Sequence, residues 1–441
     1  MNKEQKDPRS ADIDRPPSRL GRLLLALRET VGLRGMAPTA DPVFRKLYAQ
    51  SKPERLSRSM AAEWTQMVAG IQISEKQIQR VETGDRRTHE TAQIRGLLRS
   101  YGLGVDEVEA VIEDPELNRI SGNPHLIADW RLRGLALYEF GPLINEALKV
   151  GDRCSTWLEV EKAGNCGYSP DEVTLLVSEG EINPPEAFRR IADEAFRQND
   201  IKKKAGIRGW SDNPTLCLAS VVDDLAADEE ERRSITCRFV QSKYRYNVVA
   251  KQEGGAGFRA RALQDATWPL KPVPFLSSGV GICINVICDD GKTLVVGRRG
   301  NDETFRKGEY DIAVVEGIRP TSNVVDGRID IVGVAKRALI EELGLHKVAP
   351  NGDIDQIIEQ LRIFELGCDL EYYQWNFLSY AKVNLNFKQI YTGWQKAKDR
   401  KENQTITQIE FTKEAVLDFV TNQHIWSSGV ACAVRTFDYY T

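Results

Sequence analysis

The sequence predicts a multidomain chain in which an all-α unit and a helical connector precede an α+β sandwich. Three observations carry that expectation. Residues 74–84 hold a short capped helix with one apolar and one polar face. Residues 280–298 alternate β-rich runs with turn residues, and Arg337 to Leu345 reads as a helix ending in two glutamates and a glycine. With 441 residues, 41% of them hydrophobic, the chain can bury more than one core.

Taken in order, residues 1–17 are polar, charged and rich in proline, which predicts a disordered tail. Ser18 offers an N-cap to a helix through Leu20, Leu23, Leu24, Leu27 and Val31, the start of a helical unit over 18–105 with an insertion at about 34–57. Residues 106–233 read as a helical connector, with Trp130, Leu132 and Leu135 as core and an amphipathic pattern from Glu186 to Phe196. From 234 onward strands dominate: Ile235 to Val240, Val280 to Cys288, Thr293 to Arg298, Tyr310 to Val315, Arg362 to Leu366 and Tyr372 to Val383. Helices are expected at Glu414 to Val420 and Ser428 to Phe437.

The net charge of −4 gives no global basic field, so any nucleic-acid site must be local. The eight cysteines form no C-x-x-C pair and the four histidines are scattered, which argues against zinc and for reduced, buried thiols. No leader-like segment and no apolar run of bilayer length occurs, so a cytoplasmic protein without a membrane partner is expected.

The helix Arg337-Ala338-Leu339-Ile340-Glu341-Glu342-Leu343-Gly344-Leu345 carries the densest chemistry. Glu341 and Glu342 sit about one turn beyond position 338, and paired carboxylates suit a hard cation, Mg²⁺ or alternatively Mn²⁺. Gly344 fits a left-handed C-cap. The simplest alternative is an ordinary Arg337–Glu341 pair on a solvated helix. Upstream lie Glu316 and Gly317, while Arg298 and Arg299 end a strand with guanidinium forks suited to phosphate oxygens, and Tyr310 precedes the glycine.

This segment resembles the Nudix box, the signature of hydrolases that cut nucleoside diphosphates linked to another group. Arg337, Leu339, Glu341, Glu342, Gly344 and Leu345 stand at its positions. Two departures weaken the acidic set: Ala338 replaces a glutamate, and the run from Gly317 to Arg337 is longer than the pattern, with Ile329 where counting puts the first glutamate. Glu316, Asp326 and Asp330 are candidates to replace the missing acids. The resemblance implies a Nudix αβα sandwich over 234–441, with Glu341, Glu342 and Arg337 as catalytic residues and Glu341, Glu342 and Glu316 as metal ligands. It also implies ligand contacts from Arg298, Arg299, Gly317 and Tyr310.

Nearer the start, Ser74 caps a helix whose Ile78 and Val81 share one face, leaving Lys76, Gln77, Gln79 and Arg80 on the other. Such side chains reach base edges in a major groove, and Arg86 and Arg87 beyond Gly84 suit phosphates. The run Ser74, Ile78, Gln79, Arg80, Val81, Glu82, Gly84 resembles the helix-turn-helix of the lambda-repressor and Cro-like family. That resemblance implies double-stranded DNA as partner, read by Ser74, Lys76, Gln77, Gln79, Arg80, Arg86 and Arg87, and a homodimer on two half-sites.

The combined expectation is a DNA-binding transcriptional regulator whose Nudix-like domain holds a nucleotide-derived, diphosphate-containing ligand with weak or no hydrolysis. The rival expectation is an active Mg²⁺-dependent pyrophosphohydrolase with an N-terminal helical assembly module.

Overall fold

The computed structural model describes residues 20–440 apart from 22–23, 25–26, 29–30, 32–39, 41, 54, 83–90, 114–122, 124–125, 127–142, 144–145, 152, 165–166, 170–171, 207–208, 226–232, 266, 301–307 and 322–323. The predicted tail at 1–17, Arg86, Arg87, Trp130, Leu132 and Leu135 lie outside the described residues. What is described is an α+β chain with two separate apolar cores and mixed sheets.

The first core gathers Leu20, Leu24, Leu27 and Val31 with five helices: α1 (Pro42–Ser51), α2 (Arg58–Ala69), α3 (Glu75–Glu82), α4 (Thr91–Ser100) and α5 (Val105–Glu113). α1 falls inside the predicted insertion and places Phe44 edge-on to Trp64, ring centroids 5.6 Å apart. Ser57 caps α2, accepting from the Met60 N–H at 3.1 Å, and Gly70 ends it in the left-handed region. Ile78 and Val81 of α3 are buried as their spacing predicts. Glu82 is buried with them, where the Arg28 Nε (2.6 Å) and the Arg58 Nε (2.8 Å) donate to its carboxylate.

The second core runs from Leu126 to Tyr439 and is shared by two sheets. Its strands are β1 (Lys149–Val150), β2 (Arg153–Cys154), β3 (Trp157–Lys162), β4 (Val173–Glu181), β5 (Pro214–Leu225), β6 (Arg233–Lys243), β7 (Gly281–Cys288) and β8 (Thr293–Arg299). Then follow β9 (Tyr310–Ile312), β10 (Val314–Gly317), β11 (Val324–Val325), β12 (Arg328–Ile329), β13 (Ile358–Asp369), β14 (Gln374–Val383) and β15 (Asn403–Glu410). The helices are α6 (Glu186–Lys204), α7 (Tyr244–Lys251), α8 (Ala256–Leu263), α9 (Ile331–Leu343), α10 (Phe387–Trp394), α11 (Lys413–Asn422) and α12 (Ser427–Tyr439).

The larger sheet has the order β15-β8-β7-β14-β13-β3, with β10 paired to β7 and β9 to β8. β7 is buried along its whole length. Asn285 faces α12, donating to the Cys432 carbonyl (2.8 Å) and the Thr436 hydroxyl (2.6 Å). Ile282, Ile284 and Val286 therefore fill the opposite face, so this strand shows no polar alternation. α9 packs on β10 and is stopped by Gly344 at φ 63°, where a Cβ would meet the Gly393 carbonyl oxygen at 2.2 Å. Residue 344 can hardly be anything else.

The connector is where the structure departs from expectation. The described part of 106–233 holds most of α5 and all of α6 but also β1 to β5 and the start of β6, so it is mixed helix and sheet. β4, β5 and β6 form the five-stranded sheet β11-β12-β4-β6-β5, and β3 adds an edge strand to the larger sheet through β13. The expected boundary at 233/234 therefore cuts β6 at its first residue. The extra length between Gly317 and Arg337 also has a physical account: it is the β11–β12 hairpin, whose Arg328 pairs with Leu176 of β4 and so ties the two sheets together.

The seven described cysteines, Cys154, Cys217, Cys237, Cys283, Cys288, Cys368 and Cys432, are free and buried. No helix among the described residues is long and apolar enough to cross a membrane.

Candidate functional site

Three elements bring carboxylates to one point. Glu316 lies near the end of β10, Glu341 in the last turn of α9, and Asp399 on the loop between α10 and β15. Carboxylate oxygens of the three lie within 4.8 Å of one another. The register of β10 against β7 fixes Glu316 opposite Ile282, and the Asp399 N–H donates to the Glu341 carbonyl at 3.0 Å.

Cations surround the acids. Arg337 Nη1 stands 3.1 Å from Glu316 and 3.4 Å from Glu341, while its Nη2 donates to the Gly317 carbonyl at 3.1 Å. Arg319 reaches both glutamates at 3.1 Å, and the Lys398 Nζ meets Glu341 at 2.7 Å. Burial pushes the Glu341 carboxyl up, but the Lys398 hydrogen bond and the charges of Arg319, Lys398 and Arg337 outweigh it, leaving Glu341 below the ordinary glutamate value. Asp399 ends above its ordinary value, through burial first and the nearby Glu341 charge, against the pull of Lys398 and Arg319. An acidic group thus stands on three separate elements and is partly neutralised by two exposed cations, Arg319 and Lys398, and by the half-buried Arg337. A divalent cation fits these oxygen donors, and Glu316, Glu341 and Asp399 would hold it.

Glu342 stands apart from that group. It is buried, and the Val315 N–H donates to its carboxylate at 3.1 Å. Burial, then the charges of Glu402 and Glu316, raise it well above the ordinary value, against Arg299 and that N–H. Its role is toward the β10 backbone rather than the shared oxygens. Asp326 sits in the β11–β12 turn and Asp330 caps α9 by accepting from the Gly333 N–H at 2.9 Å, so neither joins the acidic group.

Two of the acids, Glu316 and Asp399, open onto a cleft of about 800 Å³. Arg299, Glu316, Gly317, Arg319, Lys398, Asp399 and Glu402 line it, together with Tyr244, Asn247, Gln374, Asn376 and Trp426. Of the sequence-predicted ligand contacts, Arg299 and Gly317 are on its wall. Arg298 and Tyr310 are not: the Arg298 Nε donates to the Gly308 carbonyl (3.0 Å) and its guanidinium covers the Tyr310 ring, which packs edge-on to Phe419. Tyr373 and Trp375 are core, whereas Tyr372 stacks on Trp426 at 4.2 Å. The sequence reading missed Asp399, Arg319, Lys398, Asn247 and Asn376. The charge run Lys398-Asp399-Arg400-Lys401-Glu402 was the one available signal for the first.

On α3, Ser74 forms a reciprocal cap with Gln77: the Ser74 N–H donates to the Gln77 amide oxygen (2.9 Å) and the Gln77 N–H to the Ser74 hydroxyl (3.3 Å). That occupies the Gln77 oxygen. Lys76 and Gln79 are exposed, and Arg80 is half-buried.

No family model matches the chain, and no curated protein matches it. Among solved structures it is similar to DR0079 from Deinococcus radiodurans, at 12% identity and a TM-score of 0.22, over 32% of this chain and 71% of that one. A likeness that slight carries no fold or activity across.

Proposed function

We propose that the cleft binds a divalent cation together with a nucleotide-derived, diphosphate-bearing ligand, and that the N-terminal helices couple this binding to double-stranded DNA as a homodimeric regulator. The observation that carries the reading is the meeting of Glu316, Glu341 and Asp399, two of which, Glu316 and Asp399, line a cleft together with Arg299, Arg319 and Lys398. Acids that hold a cation, next to guanidinium and ammonium groups, form a complementary setting for phosphate oxygens. On this reading the ligand's phosphates take over Arg319 and Lys398 while the cation takes their carboxylates. The N-terminal part of the proposal rests on α2, the turn at Gly70 and α3, an arrangement of the helix-turn-helix kind with Lys76 and Gln79 outward.

One observation favours a second reading, hydrolysis of the diphosphate. Asp399 supplies the third carboxylate that Ala338 lacks, and the charge held near the phosphates bears directly on phosphoryl chemistry. Turnover of nucleoside diphosphate derivatives with Mg²⁺ or Mn²⁺ separates the two. The regulator reading expects no turnover by wild type; the hydrolase reading expects wild-type turnover that Glu341→Gln abolishes. Retention of a genomic DNA library tests the other half: Lys76→Ala and Gln79→Ala should weaken it, and unchanged retention in both would remove DNA from the proposal.

A further inference from the structure

Two buried carboxamides in the cleft stand outside the acidic group. Asn247 of α7 is 5% exposed and Asn376 of β14 is 3% exposed, and both line the cleft. No side-chain hydrogen bond joins either one to another group among the described residues, whereas their neighbour Gln374 donates to the Gly279 carbonyl at 3.0 Å. Neither amide has a polar atom among the fully buried unpaired ones, so both present their donors and acceptors to the cleft, where a ligand edge can meet them.

The backbone makes room for both. A Cβ at Gly279, where φ is +80°, would lie 2.7 Å from the Asn247 amide nitrogen, and one at Gly281 would lie 2.8 Å from the Asn376 amide oxygen. Gly317, Gly281 and Asn376 also form one row across β10, β7 and β14, so Asn376 is two strand spacings, about 10 Å, from the residue after Glu316. A nucleoside diphosphate whose phosphates meet the acids and cations can span that gap. Trp426, already stacked on Tyr372, and Tyr244 share the wall with the two amides.

We infer that Asn247 and Asn376 are the specificity pair that reads a flat edge with adjacent donor and acceptor, of the kind a nucleobase carries, on the organic half of the ligand. A carboxamide offers an N–H donor and an oxygen acceptor side by side, the pattern that pairs with such an edge. Asn247 belongs to α7, which follows the five-stranded sheet, so the unit read from sequence as a plain connector leads directly into the helix that selects the ligand. The inference rests on the cation-and-diphosphate reading above.

Calorimetry on the full chain with Mn²⁺ separates the two. Wild type is titrated with inorganic pyrophosphate and with ADP, beside Asn247→Leu and Asn376→Leu, which keep the branched skeleton without its donors and acceptors, and Asn247→Ser, with thermal unfolding as a check on folding. The expected result is that ADP binds wild type at least about tenfold tighter than pyrophosphate, and that each variant loses about tenfold on ADP while pyrophosphate stays within about twofold. If wild type binds both probes equally, or the variants lose both alike, the specificity role is overturned and the diphosphate site stands. If neither probe binds wild type, both fall.

Discussion

Glu82 and Glu341 are both carboxylates held by more than one cation, and the molecule uses them in opposite ways. Glu82 has a side chain 2% exposed and Arg28 one of 3%, with Arg58 closing the carboxylate from another element. Nothing can enter there without unfolding the helices. Glu341 is 14% exposed, and its Lys398 partner is 64% exposed, so the cation can swing into solvent. The first arrangement spends charge on fixing three segments of one helical unit; the second keeps charge beside open space. Arg28–Glu82, buried on both sides, is a structural pair and Lys398–Glu341 a replaceable one, while Arg58 (29% exposed) and Arg337 (15%) fall between them.

Substitutions at the two sites should differ in their effect, and the largest belongs to the closed pair. Glu82→Ala strands two guanidinium groups, one of them buried, and should lower the stability of the N-terminal unit by about 3–5 kcal/mol, read from denaturant unfolding. A loss near that of a surface pair, below about 1 kcal/mol, would erase the distinction.

A third buried acid gives the next effect. Burial, opposed by the Trp157 Nε1–H bond and assisted by the Glu159 charge, raises Glu365 to about 7 against an ordinary 4.5. The folded chain then holds more proton than the unfolded chain between these values. This contribution is full below pH 4.5 and is lost as pH rises to about 7, a fall on the order of 3 kcal/mol. Glu365→Gln should remove that slope from the unfolding free energy measured between pH 5 and 8. An unchanged slope would show that Glu365 titrates normally.

At the open pair, Glu316→Gln and Asp399→Asn should leave unfolding within about 1 kcal/mol of wild type, because Arg319 and Lys398 reach solvent and the less exposed Arg337 keeps Glu341 as its partner. Arg319→Ala should be smaller still, since Arg337 continues to hold both glutamates. A large loss of stability in any of the three would make the cluster a structural staple like Glu82.

The same contrast explains what could be read beforehand. The strands around Val280 to Arg298 and the α9 helix were legible because β-branched runs, turn residues and a glycine cap act locally. The middle sheet was not. Residues 170–173 read as a helix start, and the Ser169 N–H does donate to the Glu172 carboxylate, yet the chain enters β4 as Val173-Thr174-Leu175-Leu176-Val177 pairs with β6. Tertiary pairing overrode the local signal there. Of the acidic group, Glu341 and Glu316 were readable from the helix and the glycine, but Asp399 lies on a distant loop and meets them through the fold alone. Spacing along the chain carries no trace of such a contact. Asn247 and Asn376 were equally silent, since a carboxamide is notable only once its burial is known.

Glu316, Glu341 and Asp399 are the proposed exchangeable cation site, completed by a diphosphate. Equilibrium dialysis of the full chain against Mn²⁺, with and without pyrophosphate, tests it most directly. The account predicts one bound Mn²⁺ per chain, tightened by pyrophosphate and weakened about tenfold or more in Glu341→Gln. Mn²⁺ binding that is absent from wild type, or equal in Glu341→Gln, would contradict it.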